Sequence, residues 1–456
     1  MAAFRIPNVL QNLFGEGSLS ASFIPVYSRL LGAGNREEAR RVAGAVAGLL
    51  GLVVGMLVLI GVLTAPWLVD LITPGFSGEK RELTIQLVRI LFPGIGFLVL
   101  GAWCLGVLNS HGRFFLSYAA PVVWNLTIVA TVVVVGPGAT TGRVAVVAAG
   151  AAVAGSLLQF LVQLPSAFKA LGGLRLSLGR HGPEVAEVRR TFGPALLTLG
   201  VAQIGAYVDT LIASLLPTGA VAGLFNAQVL YTLPVSLFGM SVAAAELPQM
   251  SLERGARGIV PDAFRQRIES GMERVAFFVV PSAAVFMGLG HLVAGLVFQS
   301  GRFSAEDARY VWVILAAASV GLLAGTFARL FPSAFYALGD TKTPFRVAAL
   351  RMVLATTAGF TAARFGPALL GVEARWGVAG LTLASGLAGW VEFLILRRAL
   401  QAHVGIPQLP TGRLLRLVTA AVLGVLCAWT VLFLIGTHAI IPQSLAGLGT
   451  FGVVYL

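Results

Sequence analysis

The sequence predicts an all-α polytopic membrane protein, and three observations support that fold class. Hydrophobic residues make up 57% of the chain, charged residues only 11%, and the mean hydropathy is +0.88. A soluble globular chain carries about 25% charged residues. Apolar runs of about 20 residues, the length that crosses a bilayer, recur along the whole chain. We therefore expect membrane-spanning helices throughout.

Gly, Pro and charged residues divide the apolar sequence into thirteen candidate helices. Several of these segments are long enough to protrude from a bilayer or to tilt within it. Their approximate limits are 3–31, 38–72, 82–110, 114–136, 143–170, 186–216, 219–252, 263–299, 305–338, 344–365, 374–400, 411–436 and 441–456.

Charge alternates between successive loops. One set of loops holds 19 Lys and Arg residues, and the opposite set holds far fewer. Cytoplasmic loops carry the excess of Lys and Arg in membrane proteins, so the basic set is predicted to be cytoplasmic. The same rule accounts for the net charge of +13 without a nucleic-acid partner. The basic loops are 33–41, 109–113, 169–190, 253–267, 339–346 and 397–416.

The two halves of the chain resemble each other. Leu-Phe-Gly occurs at 13–15 and again at 237–239, and the loop at 108–114 corresponds to the loop at 338–344. The offsets are 224 and 230 residues, and both copies have the same loop polarity. Parallel repeats of this kind are a transporter plan in which the substrate site lies between the halves. Chance similarity of apolar sequence is the alternative.

The repeat predicts three parts of the chain. Residues 1–172 form an N-terminal lobe, residues 173–402 a C-terminal lobe, and residues 403–456 additional transmembrane helices. The second half has a helix at 186–216 ahead of its copy of the opening stretch, and the first half has no counterpart. We therefore expect the first helix to be missing from the N-terminal lobe, through a fragment or a start-site error, and the last helix to be truncated.

The opening stretch, residues 3–25, is apolar but carries Arg5, Asn8 and Glu16. A charged side chain at the centre of a membrane helix costs about 2.5–3.5 kcal/mol on insertion scales, so such residues usually face a bundle interior or a wet cavity. A kinked structural helix that ends in a loop charge is one interpretation. We favour the other, a helix that lines a polar cavity. Cys104 and Cys427 lie in apolar segments and predict neither a disulfide nor a metal site.

Five stretches carry a resemblance to a known family, and they are 4–25, 89–93, 106–114, 208–214 and 335–344. On these stretches the chain resembles the MurJ (MviN) lipid II flippase family of the MOP superfamily. The resemblance covers essentially the whole chain and implies two helical lobes facing a central cavity, followed by two C-terminal helices. It also implies a transporter, not an enzyme, that moves the undecaprenyl-diphosphate-linked peptidoglycan precursor across the bacterial inner membrane.

The same resemblance implies substrate-binding roles for Arg5, Asn8, Glu16, Arg274 and Arg329. Arginine suits this role because its guanidinium pairs bidentately with phosphate oxygens. The alternative for each charged residue is an interfacial side chain that reaches water. The implied partners are lipid II, which carries a disaccharide-pentapeptide on a polyprenyl diphosphate, and membrane lipids.

The chain also departs from the family pattern. Gln11 and Asn12 stand where the family has a basic pair, and Gln228 and Val229 stand where it has Asp-Arg. Several charges that would pair with phosphate are therefore absent, which lowers the affinity for lipid II that we expect.

A sodium site found in some family members is matched only in part. Asp209 corresponds to its carboxylate, and Thr382 or Ser385 supplies hydroxyl oxygens, but Ala355 and Gly359 replace two polar ligands. Sodium needs several hard oxygen ligands. We therefore favour an arginine partner or an interfacial position for Asp209, with Na⁺ as a coupling ion the alternative. No other cofactor is expected.

Three other functions fit the sequence less well. One is an exporter of another lipid-linked glycan or a MATE-like antiporter, and another is a non-transporting divergent homologue. A membrane-embedded glycosyltransferase or polymerase is the third, and it needs an acidic site outside the membrane. The exposed acids on the predicted outer side that come near one another form no recognisable site. They are Glu79, Glu82, Glu306 and Asp307.

Overall fold

The computed structural model describes most of the chain, and its described residues form seventeen α-helices in two compact units. The first unit is Met1–Leu211 and the second is Ile212–Leu456. The division falls inside one long helix, so the predicted lobe boundary at 172/173 stays a prediction. The described residues are 3, 16–173, 177, 182–240, 261–301, 303–337, 340, 342–405, 407–408, 411–435 and 440–455.

Seven helices begin in the first unit. The last of them continues into the second unit. They are α1 (Glu16–Gly32), α2 (Arg36–Leu63), α3 (Ala65–Ile72), α4 (Gly78–Ser110), α5 (Phe114–Val135), α6 (Thr141–Leu171) and α7 (Pro183–Ser214).

The second unit contains ten further helices. A π-helical turn, Val235–Met240, extends the first of them, and a short 3₁₀ turn, Ala374–Trp376, precedes another. They are α8 (Ala220–Pro234), α9 (Pro261–Gly288), α10 (Gly290–Phe298), α11 (Ala305–Ser319), α12 (Leu322–Ala337), α13 (Lys342–Leu370), α14 (Gly377–Ala399), α15 (Gln401–Val404), α16 (Thr411–Ile435) and α17 (Ile440–Tyr455).

Length and composition identify seven membrane spans among the described residues, or eight if one bent pair of helices forms a single span. Each of the thirteen predicted segments overlaps at least one described helix. The predicted fold class, an all-α polytopic membrane protein, is confirmed.

Three segments predicted as continuous are in fact broken. The segment 38–72 breaks at Thr64, the segment 263–299 breaks at Leu289, and the segment 305–338 breaks between α11 and α12, where the axis bends by 49°. Hydropathy stays high across these points, so a sequence window averages over them. A break frees backbone carbonyls, which in a membrane need partners from the protein.

Tryptophan side chains supply those partners at two of the breaks. The indole nitrogens of Trp312 and Trp429 donate to the carbonyls of Met287 and Gly288, at 3.0 and 3.1 Å, where α9 ends. The indole of Trp390 donates to the Val320 carbonyl at 2.9 Å, between α11 and α12. The breaks are therefore satisfied polar sites inside the second unit.

Helix α4 organises the first unit, where it packs against α1, α2, α3, α5 and α6. Its Phe92 and Leu108 are fully buried, as are Phe23 and Tyr27 of α1. Gly61 of α2 faces the Phe92 ring so closely that a Cβ there would lie 1.8 Å from the ring. Close helix approach, made possible by small residues, replaces the hydrophobic effect as the source of packing energy in lipid.

Helix α14 has the same part in the second unit, where it packs against α11, α12 and α13. Phe393 of α14 meets Phe327 and Phe331 of α12, with ring centroids 5.4 and 5.6 Å apart. Beside this cluster Gly386 contacts Gly321 backbone to backbone, and a Cβ on Gly386 would lie 2.9 Å from the Gly321 nitrogen. The two glycines set the spacing between α14 and the α11–α12 break.

The substitution Gly386→Ala is expected to lower the melting temperature of the purified protein in detergent. The added methyl group meets backbone atoms that do not rotate away, and overpacking of this kind costs about 1–3 kcal/mol. Gly366→Ala is the matched control, because a Cβ on this helical glycine meets nothing within 4 Å. Equal melting temperatures for the two variants would contradict the close crossing.

Acid sensitivity is expected at His111, in the loop after α4, where Nε2 lies 3.0 Å from the Tyr27 hydroxyl. Burial, and then the charges of Arg113 and Arg36, lower the pKa of His111 from its usual 6.5. The folded state therefore prefers neutral His111. Its contribution is complete above about pH 6.5 and is lost as the pH falls through the lowered pKa.

The measurement compares melting temperatures of the wild type and His111→Gln at pH 7.5 and pH 5. The wild type is expected to lose more stability on acidification, because glutamine does not titrate. Parallel losses in the two proteins would assign the acid sensitivity to other groups.

Candidate functional site

The structure describes some of the predicted substrate-binding residues and not others. Arg5 and Asn8 lie outside the described residues, and Glu16 is described only as the first residue of α1. Arg274 lies on α9 and Arg329 on α12, and both side chains are exposed. Exposure of an arginine on a membrane helix is compatible with either a wet cavity or an interfacial position, so these roles stay predictions.

Arg329 belongs to a group of polar side chains that we call the inner cluster, formed by Tyr231, Arg329, Arg351 and Glu392. They come from α8, α12, α13 and α14. The Nε atom of Arg351 lies 3.3 Å from Oε2 of Glu392. Arg329 and Arg351 both act electrostatically on the Glu392 carboxylate and on the Tyr231 hydroxyl. The cluster therefore joins four helices of the second unit through charge.

The charged members of the inner cluster lie at similar depths. Arg351 is nine residues after the start of α13, Arg329 is eight residues before the end of α12, and Glu392 is seven residues before the end of α14. At 1.5 Å per residue these separations are about 14, 12 and 11 Å. All three helix ends adjoin loops predicted to be cytoplasmic. The inner cluster therefore belongs to the predicted cytoplasmic half of the membrane.

The inner cluster carries more positive than negative charge. Its two arginines face one carboxylate, and the Glu392 side chain is only 10% exposed while that of Arg351 is 42% exposed. The buried Nε atom of Arg351 makes no hydrogen bond, although it lies near Glu392. Because the Arg351 side chain is 42% exposed, its other N–H groups are the donors that remain for an anionic ligand.

Sequence reasoning missed three of the four members of this cluster, namely Tyr231, Arg351 and Glu392. A signal was present, since Glu392 interrupts an apolar segment and ionisable residues within membrane helices are functional candidates by default. Pairing of Arg351 with Glu392 joins positions 41 residues apart in the sequence. Helix periodicity does not reveal that pairing.

The predicted ion-binding residues are divided between the two units. Asp209 lies on α7 in the first unit and is half-buried, whereas Thr382 and Ser385 lie one turn apart on α14 in the second. The Thr382 hydroxyl lies 3.1 Å from two carbonyl oxygens, those of Ile314 and Ala379. The hydroxyl proton of Thr382 is therefore shared between these two acceptors. The grouping of the three residues around Na⁺ stays a prediction.

Comparison with known proteins identifies the family. The family profile "Lipid II flippase MurJ" matches residues 1–446. A relative from Rhizobium meliloti (strain 1021), named "Probable lipid II flippase MurJ", is 31% identical over 430 residues, which are 92% of this chain and 77% of the relative.

Solved structures show the same fold. The structure of "Lipid II flippase MurJ, inward closed conformation" matches with a TM-score of 0.77 at 23% identity, over 99% of this chain and 90% of that one. An inward-facing MATE family multidrug transporter of the MOP superfamily matches with a TM-score of 0.70 at 18% identity, over 88% of this chain and 89% of that one. From the profile and the curated relative, the chain belongs to the lipid II flippase MurJ family.

Proposed function

We propose that the protein is a lipid II flippase of the bacterial inner membrane, a multi-pass transporter and not an enzyme. Family membership over residues 1–446 supports this function. The observation that carries it in the structure is the inner cluster, which places a surplus of positive charge within membrane helices. An unpaired charge of this kind is costly in lipid, so charged residues within membrane helices usually mark a substrate or ion pathway.

The negative charge of the lipid II diphosphate complements the surplus of positive charge in the inner cluster. A polyprenyl diphosphate anchors its disaccharide-pentapeptide head, so the head requires a polar path while the tail stays in lipid. Arg329 and Arg351 each present a planar guanidinium, which pairs with two phosphate oxygens at once. The Tyr231 hydroxyl offers a further donor. Together these groups suit the diphosphate at the point where the substrate enters from the cytoplasmic leaflet.

Glu392 keeps the two arginines from being isolated charges before substrate arrives. A carboxylate among guanidinium groups offsets part of their desolvation cost. When a diphosphate binds, it supplies the negative charge that Glu392 alone does not fully provide. Arg5, Asn8, Glu16 and Arg274 are proposed to extend the polar path.

Movement of the substrate is proposed to follow alternating access. The chain has two similar halves, and transporters built from repeats move one half against the other around a central site. Coupling to Na⁺ stays the less favoured alternative, because Ala355 and Gly359 replace two polar ligands of the family's sodium site.

A cation antiporter like those of the MATE group is the less favoured function. Its substrates are positively charged, and a site for them needs a surplus of carboxylates. The inner cluster has two guanidinium groups against one carboxylate, so its electrostatics favour an anionic substrate.

Complementation tests the proposed function. The full-length gene for this protein is expressed in a bacterium depleted of its own lipid II flippase, and growth is measured. The wild type is expected to rescue growth, and the double variant Arg329→Gln/Arg351→Gln is expected to fail, because Glu392 then repels the diphosphate. Arg274→Ala, tested separately, is also expected to fail.

The matched control is Arg375→Gln, which removes an arginine paired with Glu306 at an exposed site of the same unit. This variant is expected to rescue growth. Rescue by the double variant at equal expression would argue against the inner cluster. Failure of a well-inserted wild type would argue against lipid II as the substrate.

Stability measurements test the pairing inside the inner cluster. Glu392→Gln is expected to lower the melting temperature in detergent, because it leaves Arg351 without a counter-charge. Removal of one partner from a buried pair costs about 3–5 kcal/mol. We expect less here, since the Arg351 side chain is 42% exposed.

Two further variants serve as controls for that measurement. Glu306→Gln breaks an exposed pair with Arg375 and is expected to change stability by about 0–1 kcal/mol. The double variant Arg351→Met/Glu392→Leu replaces both charges and is expected to recover most of the loss. A double variant as unstable as Glu392→Gln would show that the pairing is not the cause.

A further inference from the structure

The first unit contains a cavity of about 500 Å³ beside the beginning of α4. Four polar residues of α4 line it, Arg81, Glu82, Gln86 and Arg89. The spacing of four and three residues places the last three on one helix face. Pro66 of α3 and two isoleucines of α4 form its apolar walls. The volume lies within the range of about 300–1,000 Å³ that is usual for small-ligand sites.

Arg89 lies farther along α4 than the other polar residues of the cavity, and its side chain is exposed. It follows Gly78, the first residue of α4, by eleven residues, which is about 16 Å along the helix axis. The loop before α4 belongs to the set predicted to lie outside the cytoplasm. The guanidinium of Arg89 is therefore predicted to lie within the outer half of the membrane, where an unpartnered charge is costly.

The two arginines of the cavity differ in their partners. Arg81, near the mouth, donates two hydrogen bonds to the Asp70 carboxylate, at 2.6 and 2.7 Å, and is thereby saturated as a bidentate group. Within the part of the chain that the structure describes, Arg89 makes no hydrogen bond or ion pair. Glu82 lies two turns away along α4, nearer the Arg81 charge. Arg89 is thus the cation of this cavity with donors to spare.

An arginine at membrane depth, in a cavity with apolar walls, fits the phosphate of a lipid. The phosphate accepts hydrogen bonds from the guanidinium, and the Gln86 amide supplies another donor. The attached acyl or polyprenyl chain remains among apolar groups. A soluble anion gains nothing from the apolar walls, so the chemistry favours a phosphate that is tethered in the membrane.

We propose that this outer cavity is a second binding site, centred on Arg89, for the phosphate or diphosphate group of a lipid. Two sources share that chemistry. One is the polyprenyl diphosphate of the translocated substrate, and this source rests on the proposed function. The other is an outer-leaflet phospholipid, which does not depend on it.

Lipid binding to the purified full chain in phosphatidylcholine nanodiscs tests the site. Undecaprenyl diphosphate and phosphatidylglycerol are titrated separately, and the rise in melting temperature gives the apparent affinity. Arg89→Gln is expected to weaken binding of at least one lipid about tenfold, as loss of a charge-assisted hydrogen bond implies. Arg89→Lys, which keeps the charge without the bidentate geometry, is expected to be intermediate.

Arg364→Gln is the matched control. It removes an exposed arginine near the C-terminal end of another membrane helix, α13, and Arg364 does not line this cavity. It is expected to bind both lipids as the wild type does. Weakening limited to undecaprenyl diphosphate would support a substrate subsite, and weakening limited to phosphatidylglycerol would support a phospholipid site. Unchanged binding of both lipids by Arg89→Gln would overturn the proposal.

The outcome is separable from that of the complementation experiment. Failure of the wild type to rescue growth concerns lipid II transport and leaves the phospholipid measurement unaffected. Conversely, rescue by the wild type together with unaltered lipid binding by Arg89→Gln would retain the proposed function and reject the outer cavity as a lipid site.

Discussion

Every polar group that enters the bilayer must find its partner within the protein, and the structure depends on this constraint. Helices satisfy it for the backbone, which is why the described membrane segments are helical. Where α9 and α11 end inside apolar sequence, indole N–H groups donate hydrogen bonds to the backbone carbonyls that the break leaves free. Charged side chains obey the same constraint less completely. Among the described residues, Arg89 makes no hydrogen bond or ion pair, and the Nε atom of Arg351 in the inner cluster is paired in charge but makes no hydrogen bond.

The two sets of arginines lie in different units and at different predicted depths. The inner cluster belongs to the second unit and the cytoplasmic half of the membrane, while Arg89 belongs to the first unit and the outer half. In each unit, taken by itself, guanidinium donors remain for an anionic group.

The sequence predicted the helices well because length and hydropathy are local properties. All thirteen segments overlap described helices, whereas the breaks at Thr64, Leu289 and Val320–Gly321 were missed because an interruption of one or two residues barely changes a hydropathy average. Of the candidate site, only Arg329 was predicted, through family resemblance. Arg351 and Glu392 were missed because their pairing depends on how α13 and α14 pack, which the pattern of either helix alone does not reveal.

The tryptophans at the helix breaks limit which residues those positions tolerate. Phenylalanine at position 390 would keep an aromatic ring but has no N–H for the Val320 carbonyl, so an aromatic ring alone is insufficient there. In the bend between α11 and α12, the Trp390 indole supplies the hydrogen-bond donor for that carbonyl. The bend therefore depends on a donor from a neighbouring helix, α14, and not only on the sequence of the bent segment.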